Sequence, residues 1–145
     1  MTTKLLVGLD GHSSGERALA YGEGLAKLIG SCSLLVVYVI EWSPYSFQTA
    51  EENAQRHKRR EEEIATAMSR VISPALETLK SKGIDAEGIV RHGNVADTLD
   101  ALASSEKADQ IIVGRAAESG LSQRIFGSST ANLVMQARVP VTVVG

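Results

Sequence analysis

Apolar residues along this chain form short unbroken runs separated by longer stretches with helical spacing. An unbroken run of four to eight apolar residues is typical of a strand that is buried on both faces. Such runs, with a weaker one in third place, predict strands at residues 5–9, 33–40, 86–91, 110–114 and 141–144. The predicted order of elements is β-α-β-α-β-α-β-α-β, without a repeat or a linker, so we expect a single domain over residues 1–145.

The stretches between the strands carry apolar residues three and four positions apart, which predicts amphipathic helices. Ser13 and Glu16 have the spacing of a capping box at the start of the first helix, and Gly30 is placed to end it. A second, long helix begins in the charged run 56–63 and contains Pro74. Because proline removes a backbone donor and its ring collides with the preceding turn, we expect a kink or a break there.

Strict alternation of strands and helices favours a parallel sheet with helices on both faces, because crossover connections between parallel strands are right-handed. Pro140 opens the last run, and a proline at the first position of a strand suits a sheet edge. In such a fold, ligands bind at the carboxyl ends of the strands, where the strand order reverses. We therefore expect any chemistry at that edge of the sheet.

Composition excludes several classes of protein. The chain has 145 residues, a net charge of −2 and 43% hydrophobic residues, so it lacks the basic excess that a nucleic-acid surface needs. Cys32 is the single cysteine, which excludes an intrachain disulfide and a cysteine-based metal site. No apolar run approaches the roughly 18 residues that would suggest a membrane span. We expect a cytoplasmic protein with neither a nucleic-acid partner nor membrane insertion.

Three loops follow strands at the expected edge, at residues 10–14, 38–42 and 114–129. The third combines glycines with a run of hydroxyl residues where a helix begins, namely Gly114, Gly127, Ser128, Ser129 and Thr130. Free backbone N–H groups at a helix N-terminus attract anions, so this loop is a candidate phosphate site. The alternative is structural, with Ser128 only capping the helix and the glycines only turning the chain.

Other chemistry has weaker support. Neither a P-loop pattern nor a dinucleotide fingerprint occurs, and the acids and the lysine of a receiver domain are missing. His12 and His92 both fall in loops at the carboxyl edge and could share one cleft. The aromatic loop at 42–47 is expected to pack on the protein, and the charged run 56–63 is expected to be a solvated helix face or, as the alternative, a cover over the cleft. We assign no catalytic residue and no metal ligand.

The third loop resembles a known family motif. Its spacing, Gly114-x2-Ala117-x9-Gly127-Ser128, is similar to the G-x2-G-x9-G-[ST] pattern of nucleotide-binding universal stress proteins. The resemblance extends over residues 7–10, 92–94, 108–114 and 139–144, and so over essentially the whole chain. It implies a five-stranded sheet of order 3-2-1-4-5 with four helices, of the adenine nucleotide α-hydrolase type. It also implies a homodimer formed through residues Val139 to Val144.

The resemblance implies ATP or AMP as the ligand, with Mg²⁺ as an optional companion. Asp10 would face the ribose or adenine, Val39 would contact the adenine edge, and the loop and helix start would hold the phosphates. The implied binding residues are Gly8, Leu9, Asp10, Val39, Val113, Gly114, Ala117, Gly127, Ser128, Ser129 and Thr130. Ala117 departs from the pattern, where the family has glycine. A Cβ at a positive φ costs about 1–2 kcal/mol, or roughly tenfold in affinity.

Three functions remain open at this point. The first is a dimeric stress-response regulator that binds adenine nucleotide. The second is an interaction module of the same fold that has lost nucleotide binding, and the third is an enzyme that acts on an adenylylated substrate. Since no side chain is an evident general base, at most slow ATP hydrolysis or phosphotransfer is expected of the regulator.

Overall fold

Five parallel strands, numbered along the chain, form one sheet in the order 3-2-1-4-5, as the resemblance implied. The computed structural model describes residues 2–41, 50–115 and 128–145. The strands are β1 (Thr3–Leu9), β2 (Cys32–Glu41), β3 (Asp85–Gly93), β4 (Gln110–Gly114) and β5 (Val141–Val144). All five strands were predicted, and β3 is longer than its predicted range at both ends.

The helices are α1 (Ser13–Ile29), α2 (Ala50–Ala67), α3 (Ser73–Ser81), α4 (Val95–Ser105) and α5 (Ser128–Gln136). A π-turn at Met68–Ile72 joins α2 to α3 without a gap. If that joined segment is counted as one helix, the described part of the chain has the four helices that were expected. The α/β architecture predicted from the alternating pattern is therefore confirmed.

Both faces of the sheet are buried, which explains the unbroken apolar runs. On one face, Leu5 and Val7 belong to a cluster that also includes residues of α1 and of the α2–α3 segment. On the other face, Leu6 and Ile111 pack with residues of α4 and α5. Because successive side chains of a strand point to opposite faces, a strand covered on both sides needs an apolar residue at every position.

The predicted break at Pro74 takes the form of the π-turn. The N–H of Ser73 donates to the carbonyl oxygen of Met68, five residues back, instead of four as in an α-helix. Pro74 then occupies the first turn of α3, where the missing backbone donor costs nothing. The extra residue in the turn places Ile72 against the sheet, and its side chain is completely buried there.

Gly88 of β3 makes room for the π-turn. A Cβ at this position would overlap the Cγ2 atom of Ile72 and would lie 3.2 Å from Leu76 Cδ1. The neighbours are core side chains, which have no free space into which to move. Glycine is therefore required at this position of β3 by the close approach of the helical segment.

We predict that Gly88→Ala lowers the free energy of unfolding by about 1–3 kcal/mol, the usual cost of overpacking a core. Gly24→Ala is the matched control, because a Cβ on that α1 residue meets nothing within 4 Å. Alanine there should raise stability by about 0.5–1 kcal/mol through helix propensity. Urea denaturation of both variants measures the difference, and equal stabilities would show that the contact between β3 and the π-turn is not tight.

Candidate functional site

A cleft of about 420 Å³ opens at the carboxyl edge of the sheet, beside β1. This is where the strand order reverses, because β1 lies between β2 and β4. The volume is within the range of small-molecule sites, about 300–1,000 Å³. The lining residues are Gly8, Leu9, Asp10, Tyr38, Val39, Ile40, Glu41, Val95, Leu99, Val113, Gly114, Ser128, Ser129 and Thr130.

Every predicted binding residue that the structure describes lines this cleft. They are Gly8, Leu9, Asp10, Val39, Val113, Gly114, Ser128, Ser129 and Thr130. They come from three neighbouring strands and from the start of α5, so the fold brings together residues up to 122 positions apart, from 8 to 130. The other two, Ala117 and Gly127, lie outside the described residues.

The cleft also contains residues that sequence reasoning did not assign to it: Tyr38, Ile40, Glu41, Val95 and Leu99. The first three lie in or beside the loop that was expected at this edge, but no chemical pattern marked them individually. Val95 and Leu99 have the helical spacing of a buried stripe, which does not distinguish core residues from cleft residues. Leu99 is only 2% exposed and still contributes to the cleft wall, while Val95 is half-buried.

The wall of the cleft has an apolar part and a polar part. Val39, Leu99 and Val113 are buried and form an apolar surface that suits a flat ring. Polar atoms come from two carboxylates, Asp10 and Glu41, and from the hydroxyls at the start of α5. Among the lining residues that the structure describes, neither lysine nor arginine is present.

Asp10 anchors the first turn of α1. Its Oδ1 atom accepts the N–H groups of His12 at 2.9 Å and Gly15 at 3.0 Å, and its Oδ2 atom accepts the hydroxyl of Ser14. The predicted capping box of Ser13 and Glu16 is wrong, because the cap position is His12, which makes no side-chain cap bond. A carboxylate from the end of β1 satisfies the helix donors instead.

The hydrogen bonds determine the ionisation of Asp10. Partial burial acts to raise the pKa of this carboxyl, but the bonds from Ser14 Oγ and from the backbone of His12 and Gly15 outweigh burial, so the pKa is lowered. Asp10 is therefore ionised at neutral pH and only accepts hydrogen bonds. Gly15 is part of this arrangement, since a Cβ there would lie 2.7 Å from Asp10 Oδ1.

Gly114, at the end of β4, is pressed against the same turn of α1. A Cβ at Gly114 would overlap the carbonyl group of Ser14. The resemblance implied that Gly114 lets the chain approach the ligand. The structure adds a different reason for glycine at this position, which is the close approach of α1. Ser14, in the first turn of α1, therefore contacts two sides of the cleft. One side is formed by Asp10 at the end of β1 (the Asp10 wall), and the other by Gly114 at the end of β4 (the Gly114 wall).

The start of α5 provides donors on the remaining side. Ser128 is exposed, while Ser129 and Thr130 are half-buried, and all three line the cleft. The N–H groups in the first turn of a helix have no partner within the helix, and the helix dipole gives them a partial positive charge. This arrangement suits an anionic group.

The two histidines do not share the cleft, so that hypothesis is wrong. His92 lies within β3 and its Nε2 atom is 3.0 Å from Glu63 Oε2 of α2. His12 lines a separate cavity of about 250 Å³ between α1 and the α2–α3 segment. The aromatic residues at 42–47 lie outside the described residues.

In residues 2–41, 50–115 and 128–145, no group of three or more His, Cys, Asp or Glu side chains is placed to hold a metal ion. Within the same ranges, no helix has the length and apolar character needed to cross a membrane.

Comparisons with known proteins agree with this fold. The model of the universal stress protein family matches residues 1–145. The hypothetical protein MJ0577 aligns with a TM-score of 0.83 at 20% identity, over 99% of this chain and 96% of that chain. A universal stress protein in complex with cAMP aligns with a TM-score of 0.70 at 23% identity, over 99% of this chain and 96% of that chain. No curated protein sequence matches the chain.

A third structure comes from a plant. A universal stress protein family protein from Arabidopsis thaliana, with AMP bound, gives a TM-score of 0.66 at 16% identity, over 98% of this chain and 90% of that chain. These identities are low, so the structural matches establish the shared fold. The family model extends from the first residue of the chain to the last, and the chain belongs to the universal stress protein family.

Proposed function

We propose that this chain binds an adenine nucleotide, AMP or ATP, in the cleft and acts as a dimeric regulator in the stress response. The observation that carries the proposal is the convergence of nine predicted binding residues, from β1, β2, β4 and α5, on one cleft of suitable volume. The relatives with bound cAMP and AMP support an adenine nucleotide as the ligand class.

The apolar and polar parts of the cleft fit the parts of a nucleotide. The adenine ring would lie on the buried apolar surface of Val39 and Leu99. The Asp10 carboxylate already accepts three hydrogen bonds. A carboxylate has about four lone-pair positions, so one acceptor position remains for a ribose hydroxyl.

The phosphate would bind at the start of α5. Backbone N–H groups and the hydroxyls of Ser128, Ser129 and Thr130 are the donors available there. Mg²⁺ enters the proposal only as an ion carried by the phosphates of ATP, because Mg²⁺ in nucleotide sites is commonly held by phosphates and one or two carboxylates.

We predict that the nucleotide-free protein binds AMP, measured by calorimetric titration, and that Thr130→Val weakens the binding about ten- to a hundredfold. The lost hydrogen bond goes to a charged group and is worth about 1.5–3 kcal/mol. Ser105→Ala is the control, because that hydroxyl lies at the end of α4, outside the cleft lining, and donates to the carbonyl of Leu102. Absence of heat at millimolar AMP and ATP would overturn the proposal and favour an interaction module.

The proposed dimer uses the outer edge of β5. Both β3 and β5 are edge strands, each paired with one neighbour. The β3 edge exposes the charged residues Asp85, Glu87 and Arg91, which discourage pairing with another strand. The β5 residues Val141–Val144 are uncharged and only half-buried. A second copy would cover them by pairing its own β5 across a two-fold axis.

We predict that Val143→Asp converts the dimer to a monomer in sedimentation experiments, because it places a charge on the pairing edge. Val143→Pro is a second variant that acts by removing a backbone donor from the edge strand. Arg91→Asp, on the opposite edge of the sheet, is the control and should leave the dimer intact. If both Val143 variants are folded and remain dimeric, the interface lies on another surface.

A further inference from the structure

We infer that Arg17 is a positioning residue for the nucleotide cleft, holding the end of β4 against the first turn of α1. The inference rests on the proposed function, because it concerns the same site. Arg17 does not line the cleft. Its effect on a ligand would be transmitted through the backbone at Gly114 and Arg115, where β4 ends.

The contacts of the guanidinium group support this role. Arg17 Nη2 donates to the carbonyl oxygen of Arg115 at 2.9 Å, across 98 positions of sequence. Arg17 Nη1 also lies 3.4 Å from Ser13 Oγ, one turn earlier on α1. A hydrogen bond from a charged donor is about twice as strong as one between neutral groups. The planar fork of arginine reaches both acceptors at once, which the single ammonium of lysine does not.

The position of Arg115 gives this bond its importance. Strand β4 is only five residues long, and Arg115 follows its last residue. The N–H of Arg115 donates to the carbonyl of Val144 at 2.7 Å, and its carbonyl is the group that Arg17 holds. Gly114 immediately before it is in contact with Ser14. The end of β4 is thus held between β5 and α1.

The same turn of α1 is bound to the other side of the cleft. Asp10, at the end of β1, accepts hydrogen bonds from Ser14 and Gly15. Arg17 lies two residues after Gly15 on the same helix. The first turns of α1 therefore connect the Asp10 wall to the Gly114 wall, and Arg17 provides the charged bond on the Gly114 side. Loss of this bond should let the Gly114 wall move relative to the Asp10 wall.

The test compares Arg17→Met and Arg17→Lys with the wild-type protein, using AMP and adenosine as ligands. We expect Arg17→Met to weaken AMP binding by up to about tenfold, because the ligand would then have to order the end of β4 as it binds. Adenosine should lose less, because it lacks the phosphate that is proposed to bind at the start of α5, which lines the cleft together with Gly114. Arg17→Lys should recover part of the AMP affinity. Lys27→Met, which also removes a positive charge from α1, is the matched control.

A ligand-free measurement separates this inference from the proposed function. Site-resolved hydrogen exchange should show faster exchange of the Arg115 amide in Arg17→Met, while the Ile111 amide, bonded to the Pro140 carbonyl, keeps its protection. Unchanged exchange at Arg115, or AMP affinity equal to that of the wild type, overturns the inference. If the wild type binds neither ligand, the proposed function fails. The exchange rate of the Arg115 amide in Arg17→Met then decides by itself whether Arg17 holds the end of β4.

Discussion

The first turn of α1 must have its backbone donors satisfied, and the Asp10 carboxylate meets that requirement from the end of β1. This arrangement brings α1 so close to the sheet that two positions tolerate only glycine. Gly15 lies against the carboxylate, and Gly114 lies against the carbonyl of Ser14. The shape of the cleft follows, because the ends of β1 and β4 are both fixed to one helical turn.

Close packing on both faces of the sheet explains why the ligand cleft lies at an edge. The faces are covered by α1 and the α2–α3 segment on one side and by α4 and α5 on the other. At Gly88 the α2–α3 segment lies so close to the sheet that it leaves no room for a Cβ atom. Helices begin near the carboxyl ends of the strands, so the unsatisfied N–H groups of the first helical turns lie together at that edge. The same geometry that buries the faces therefore directs polar donors towards one edge.

Hydrophobic periodicity was sufficient for the elements and the fold class, because a sheet covered on both faces leaves an unmistakable pattern of apolar runs. The periodicity does not indicate the order of the strands in the sheet, and that order was predicted from the family resemblance. His92 was misplaced because β3 continues to Gly93, so the residue lies in the strand and pairs with Glu63. The capping box failed because the cap position is His12, and the Asp10 carboxylate, two residues earlier, accepts the N–H of Gly15 in place of a Ser13 cap. Leu99 was missed as a cleft residue because core and cleft residues share one periodicity.

The charge of the cleft limits how a phosphate could be held. The described lining has the carboxylates of Asp10 and Glu41, and the whole chain has a net charge of −2. Within this described lining, attraction comes from neutral donors and the dipole of α5, which is worth about 0.3–1 kcal/mol at an exposed helix terminus. Each hydroxyl that donates to the charged phosphate adds about 1.5–3 kcal/mol. Binding built from several small terms depends on their alignment, so the positions of Gly114 and of the α5 terminus matter more than any single side chain.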